Sequence, residues 1–220
     1  MDGVTSIEKN LDLLKQNTFI NSFLSELHSN CGNLFILGDS ITDWILDKHV
    51  KEITIVTNCE YKILAEYLDK FKSRYSEVTS GYNVVISNMT FNISNLGDLL
   101  SFKSNNSIIK EFQSIPKTVF LSTDAVGYDL NSKELFDAGL HNTLSMKVLD
   151  IINEQNQFPF ICASKALCSI LKYDFLPSEK LKYFIGEQIA RGYNKKSFSK
   201  YIEMKNIDYS FESCMKCLAI

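Results

Sequence analysis

Gly38, Asp39, Asp43 and Glu52 stand close together in the stretch LGDSITDWILDKHVKEITIVT, Leu37 to Thr57. Carboxylates that follow a glycine turn can hold a metal ion or lie favourably against a helix dipole. Which of these they do depends on the elements that carry them. Gly38 closes the apolar run Asn33–Leu37, so it either ends a strand or turns backbone toward a phosphate. Asp39 and Asp43 read as carboxylates at the N-terminus of the following helix, Asp43 being the better placed. Glu52 opens an alternating run and reads either as a hydrogen-bonded strand carboxylate or as a metal ligand. Asp124 and Asp129 flank a turn at Gly127 and read as loop residues.

Other candidate groups point to less. His28, His49 and His141 show neither metal spacing nor a nucleophile to serve. Cys214 and Cys217 form a C-x-x-C without a second pair and read as ordinary helix cysteines. The stretch ARGYNKKSFSKYIEMK, Ala190 to Lys205, interleaves Lys195, Lys196 and Lys200 with Tyr193, Phe198 and Tyr201. Such a pattern can grip single-stranded nucleic acid. Phe198, Tyr201 and Ile202 also sit at helical spacing, which favours a packed helix with a solvated lysine face.

The elements that must position these groups follow from periodicity. Residues 6–29 predict one or two amphipathic helices through Ile7, Leu11, Leu14, Phe19, Phe23 and Leu27. A strand ends at Leu37, a helix covers Thr42–Lys48, and a second strand spans Glu52–Thr57. A helix over Glu60–Tyr75 and strands at Asn83–Ile86, Thr90–Ile93 and Thr118–Leu121 come next. The Ser/Asn-rich stretch Leu100–Pro116 reads as loop with a short helix. Beyond Gly139 helices dominate: Leu144–Asn153, Phe160–Tyr173, Ser178–Gly192 and Ser197–Ile202, with Pro177 marking a helix entry.

The chain of 220 residues, 45% hydrophobic and 22% charged, has room for one well-cored domain with an appendage, or for two small domains. Its net charge of −3 gives no bulk attraction to nucleic acid. Only Arg74 and Arg191 are arginines, so bidentate grips on phosphate are scarce. The N-terminal residues lack a signal-peptide core, and runs such as NLFIL are too short to span a membrane. Six cysteines without a framework fit a reduced, cytoplasmic setting.

The order strand, glycine turn, short helix, strand resembles the head domain of the CCA-adding enzymes and bacterial poly(A) polymerases. Those nucleotidyltransferases open with G-G-x-x-R-D and carry D-x-D on the next strand. Here LGDSITD and Glu52-Ile53-Thr54 stand at those places. TVFLSTDAVGYDLNSKELFDAGL resembles the family's R-R-D-F-x-x-N-A-x-x-Y-D and D-P-F-G-G-L blocks, and FICASKALCSILKYDF its neck helix, E-D-P-L-R-x-L-R-A-x-R-F. The resemblance covers roughly residues 30–180. It implies an α+β fold, a nucleotidyltransferase-like mixed sheet with flanking helices followed by a helical neck. Residues 1–140 would be the head and 141–220 the neck and C-terminal extension.

The departures from that pattern fall on the chemistry. In the family the two carboxylates of D-x-D hold magnesium; here the pair is Glu52 and Thr54, and a neutral hydroxyl is a weak ligand for a hard cation. Asp39 replaces the second glycine. A carboxylate ~4 Å from a phosphate charge costs about 4 kcal/mol at an effective dielectric near 20, roughly a thousandfold in affinity. Thr42 replaces the arginine of the first block. Thr118, Val119 and Phe120 replace R-R-D, and Asp124 stands at the asparagine. The neck arginines match Cys162, Lys165 and Cys168.

The resemblance therefore implies a degenerate, catalytically inactive protein acting as a binding or regulatory module without a cofactor. Glu52 and Thr54 would be vestigial catalytic residues, with Glu52 the metal candidate. Gly38, Asp39, Asp43, Asp124 and Lys165 would be the remains of nucleotide binding. The helical end would dock a protein partner or a second copy, away from any membrane. Two alternatives stay open. One is a reduced but active RNA nucleotidyltransferase, with Glu52 on magnesium and Lys165 on a triphosphate; the other is a small RNA-associated protein using the lysine/aromatic helix.

Overall fold

The alternation of Glu52–Thr57 produces a central strand, with Ile53 and Ile55 on one face and Glu52 and Thr54 on the other. The computed structural model describes residues 3–71, 75–78, 81–98, 111–155 and 158–218. The chain divides into two compact units: Met1–Pro116 with Val126–Asp137, and Lys117–Ala125 with Ala138–Ile220.

The first unit holds a seven-stranded mixed sheet. Its strands are β1 (Leu34–Leu37), β2 (Glu52–Thr57), β3 (Tyr75–Val78), β4 (Gly81–Ile86), β5 (Met89–Asn95), β6 (Val126–Asp129) and β7 (Leu135–Asp137), in the order β3-β4-β5-β2-β1-β6-β7. β2 pairs antiparallel with β1 and parallel with β5. The predicted neighbours β1 and β2 do pair, Leu37 opposite Thr54.

Register sorts the sheet into two unlike faces. Ile36, Ile53, Ile55, Val84, Phe91, Ile93 and Tyr128 share one face and are all buried. Helices α1 (Gly3–Lys15), α2 (Thr18–Cys31) and α4 (Tyr61–Leu68) pack there. Phe23 of α2 packs tilted against Phe91 with ring centroids 5.1 Å apart, Tyr67 of α4 donates to the Phe23 carbonyl at 3.1 Å, and the Tyr128 hydroxyl donates to Glu8 of α1. Helix α3 (Asp39–Ile45) links β1 to β2, and Ser6 of α1 donates to the Trp44 carbonyl at 2.6 Å. On the opposite face Phe35 lies between Phe112 and Phe136, 5.6 and 5.9 Å between centroids. Beside them Glu52, Thr54, Asn83, Thr90 and Asn92 are only half-buried.

The second unit is mostly helical: α5 (Leu140–Met146), α6 (Pro159–Tyr173), α7 (Glu179–Ala190), α8 (Lys195–Lys205) and α9 (Phe211–Lys216), with a small parallel pair, β8 (Val148–Leu149) and β9 (Leu176–Pro177). Ser178 caps α7 as the Pro177 entry predicts, its hydroxyl accepting from Leu181 N–H at 3.1 Å. No helix among the described residues is long and apolar enough to cross a membrane.

Several expectations are corrected. Thr118–Leu121 is not a strand; Leu121 makes one isolated antiparallel bridge to Ile151, closed by Ile152 N–H to the Phe120 carbonyl and Ser122 N–H to the Asp150 carbonyl. The helix expected over Leu144–Asn153 stops at Met146, because Lys147 adopts a left-handed conformation (φ 52°) and Val148 and Leu149 then extend into β8. Gly127 lies inside β6 rather than in a turn. The helix from residue 60 ends early, and Tyr75 already belongs to β3. Arg74 and residues 100–110 of the Ser/Asn-rich stretch lie outside the described residues, while Phe112–Lys117 forms a 3-10 helix.

Candidate functional site

The sequence candidates fall into two groups, one in each unit. In the first, β1 delivers the chain to Gly38, which adopts φ 86° and donates to the Val126 carbonyl at 2.9 Å. That conformation suits glycine, and it fixes the angle at which α3 leaves the sheet. Asp39 sits in the first turn of α3, half-buried, where a carboxylate is favoured by the helix dipole. Asp43 does not share that role. The helix begins at Asp39 rather than Thr42, so Asp43 falls past its first turn and is 5% exposed.

Glu52 and Thr54 point to the half-buried polar face of β2, beside Thr90 and Asn92 on β5. The Asn92 amide donates to Glu52 Oε1. Strand neighbours thus supply one carboxylate, a hydroxyl and an amide. Asp129, on the same face two strands away, accepts at 2.8 Å from Asn131 N–H and at 3.3 Å from Ser132 N–H, an Asx turn that ends β6. These donors do not fit a two-carboxylate magnesium centre, which needs anionic oxygens turned toward the ion. Among the described residues no three His, Cys, Asp or Glu side chains gather as they would around a metal.

In the second unit, Lys165 Nζ lies 2.7 Å from Asp124 Oδ2. Asp124 follows a turn whose N–H groups bond backward, Asp124 N–H to the Leu121 carbonyl and Ala125 N–H to the Ser122 carbonyl. Ser122 anchors that turn, its hydroxyl accepting from Thr143 at 2.6 Å and from Asp150 N–H at 3.1 Å. Cys162, one turn before Lys165 on α6, is 6% exposed. Burial pushes its thiol up to about 12; Lys165 opposes this and Asp124 adds to it. Cys168 is buried, and its pKa is raised first by the neighbouring Cys214 of α9 and then by burial. The three neck positions therefore present two neutral thiols and one lysine held by a carboxylate.

The lysine/aromatic stretch folds as the packed alternative. Tyr193, Phe198 and Tyr201 are 2%, 0% and 7% exposed, so these rings are not open for base stacking. Phe211 of α9 packs on Tyr193 and Phe198, and Lys195 pairs with Glu212 at 2.7 Å.

Neither protein-family models nor curated protein sequences match this chain. Solved structures do. A CCA-adding enzyme with ATP aligns with a TM-score of 0.64 at 15% identity, covering 96% of this chain and 50% of that one. A tRNA nucleotidyltransferase complexed with a primer tRNA and an incoming ATP analog gives 0.60 at 14% identity, covering 84% and 56%. The Thermotoga maritima CCA-adding enzyme complexed with tRNA gives 0.60 at 14%, covering 85% and 46%. The fold is nucleotidyltransferase-like. The chain spans about half the length of these structures.

On a nucleotidyltransferase-like sheet the residue missed from sequence is Asn92, which holds Glu52. Its signal was present in MTFNISN, where Thr90, Asn92 and Ser94 alternate with Phe91 and Ile93. That alternation puts three polar groups on the face of Glu52.

Proposed function

We propose that this chain is a nucleotidyltransferase-like protein that has lost transfer chemistry and acts as a cytoplasmic binding or regulatory module. The observation that carries the reading is the Lys165–Asp124 ion pair: the charged neck position that could meet a phosphate is engaged by a carboxylate at 2.7 Å. On the sheet, Glu52 faces an amide and Thr54 rather than a second carboxylate. No cofactor is required for binding of this kind. RNA is the ligand class suggested by the likeness to structures complexed with tRNA.

The test offers the purified chain a tRNA lacking its 3′ CCA end, with labelled ATP and CTP and either magnesium or manganese. No incorporation is expected, while gel-shift titration reports RNA binding. Incorporation that disappears in Glu52→Ala would overturn the reading in favour of a reduced, magnesium-dependent enzyme. Absence of both incorporation and RNA binding would leave a protein partner as the ligand of the module.

A further inference from the structure

Two thiols meet where α2 ends and β2 passes into α4. Cys31 is the last residue of α2, and Cys59 lies in the short link between Thr57 and Tyr61. They are 4% and 7% exposed. One hydroxyl ties their backbones together: Thr57 Oγ1 donates to the Cys31 carbonyl at 3.0 Å and accepts from Cys59 N–H at 3.1 Å. The Cys59 sulfur lies 4.0 Å from the carbonyl oxygen of Asn30, the residue before Cys31. The Asn95 amide holds the Cys59 carbonyl from the other side. Cys31 is pushed up to about 12, first by burial and then by the neighbouring Cys59. A disulfide needs sulfurs in contact and backbones roughly 4.4–6.8 Å apart. The shared Thr57 hydroxyl holds the two backbones to one point.

We propose that Cys31 and Cys59 are a covalent cross-link site, closed by an oxidised low-molecular-weight disulfide and pinning the end of α2 to the β2–α4 link. One thiol loses its proton and attacks the small disulfide, forming a mixed disulfide and releasing one small thiolate. The second loses its proton and attacks the protein sulfur of that bond, releasing the other. Two S–H bonds are replaced by one S–S bond, and the reagent leaves as two thiols that carry the protons. In a reducing compartment the pair stays open. Burial keeps the native thiols slow to react, so closure follows local opening of the link. The bond would tether the far end of β2, the strand that carries Glu52 and Thr54.

The full chain is refolded from urea in a buffer of oxidised and reduced glutathione, so that burial does not limit access. It is then acid-quenched and digested without reductant for mass spectrometry. A peptide joining Cys31 to Cys59 is expected in at least roughly tenfold excess over peptides joining either one to Cys162 or Cys217, since each tenfold reflects about 1.4 kcal/mol of preferred geometry. The oxidised protein should melt roughly 5–10 °C higher than the reduced one, and Cys59→Ala should lose most of that rise. Comparable yields of the other pairings would overturn the proposal. So would a cross-link that forms but lowers Tm, since a preformed site closes without distortion.

Discussion

Asp124 Oδ2 accepts Lys165 Nζ at 2.7 Å, joining the loop before β6 to the middle of α6. The carboxylate side chain is 9% exposed and the lysine 35%. A carboxylate this buried depends on its cation far more than the cation depends on it.

Lys165→Met is accordingly expected to destabilise the fold by about 2 kcal/mol, below the usual cost of breaking a fully buried pair because the lysine is partly solvated. Adding Asp124→Asn should recover at least half of that loss. Urea unfolding of the two variants and the wild type measures both steps. A double variant less stable than Lys165→Met alone would show that Asp124 is held by something other than the lysine.

Asp39→Gly with Thr54→Asp restores the glycine and the second carboxylate of the resembling motifs. Affinity for a magnesium–ATP complex should rise, by at most about 4 kcal/mol if Asp39 repulsion dominates. Transfer is not expected to return, since Thr118, Val119, Cys162 and Cys168 leave the nucleotide without arginine contacts. Calorimetric titration decides it. Tight binding by the wild type and weaker binding by the double variant would mean that Asp39 and Thr54 serve a working site of another design.

Alkaline pH should weaken the fold. Burial raises Cys31 and Cys162 from 9.0 to about 12, and burial followed by Glu8 raises Tyr128 from 10.0 to about 12. Between about pH 9 and 12 the unfolded chain releases these protons while the folded chain keeps them. Stability is therefore full below pH 9 and falls as pH rises, by up to about 1.4 kcal/mol per pH unit for each group. Urea midpoints at about pH 8.5 and 10.5 should differ in that direction, and by less in Cys31→Ala/Cys162→Ala. An unchanged pH slope in that variant would remove these thiols from the explanation.

Two glycine replacements should act in opposite directions. A Cβ on Gly127 would meet Phe35 ring carbons at 2.1 Å, and Phe35 is held between Phe112 and Phe136. Gly127→Ala should cost roughly 3 kcal/mol, at the high end for overpacking. Gly186, inside α7, has nothing within 4 Å of such a Cβ, so Gly186→Ala should gain about 0.5–1 kcal/mol. Thermal melts of the two variants check both signs.

Local pattern made part of this legible. Ile53 and Ile55 alternating with Glu52 and Thr54 announced a strand with one polar face, and Pro177-Ser178 announced the start of α7. What local pattern could not reveal was partnership across the chain. Gly127 looks like a turn residue until Phe35 occupies the space that its missing side chain leaves. Lys165 looks like a residual phosphate contact until the fold sets Asp124 against it. Val148 and Leu149 suit a helix face or a strand equally, and Lys147 with β9 decided between them.

The residue ranges of the two units bear on how the chain can be dissected. It passes from one unit to the other after Pro116, returns at Val126 and leaves again after Asp137. No single truncation therefore releases either part whole. A fragment ending at Pro116 would strip β1 of its partner β6, exposing an unpaired edge where the sheet is now continuous. A fragment ending near residue 140 would keep Thr118–Asp124 but lose Thr143, Asp150, Ile152 and Asn153, whose hydrogen bonds hold that segment. Expression of an independent sheet unit would instead require a graft, with a short linker from residue 116 to residue 126 replacing the nine residues of Lys117–Ala125.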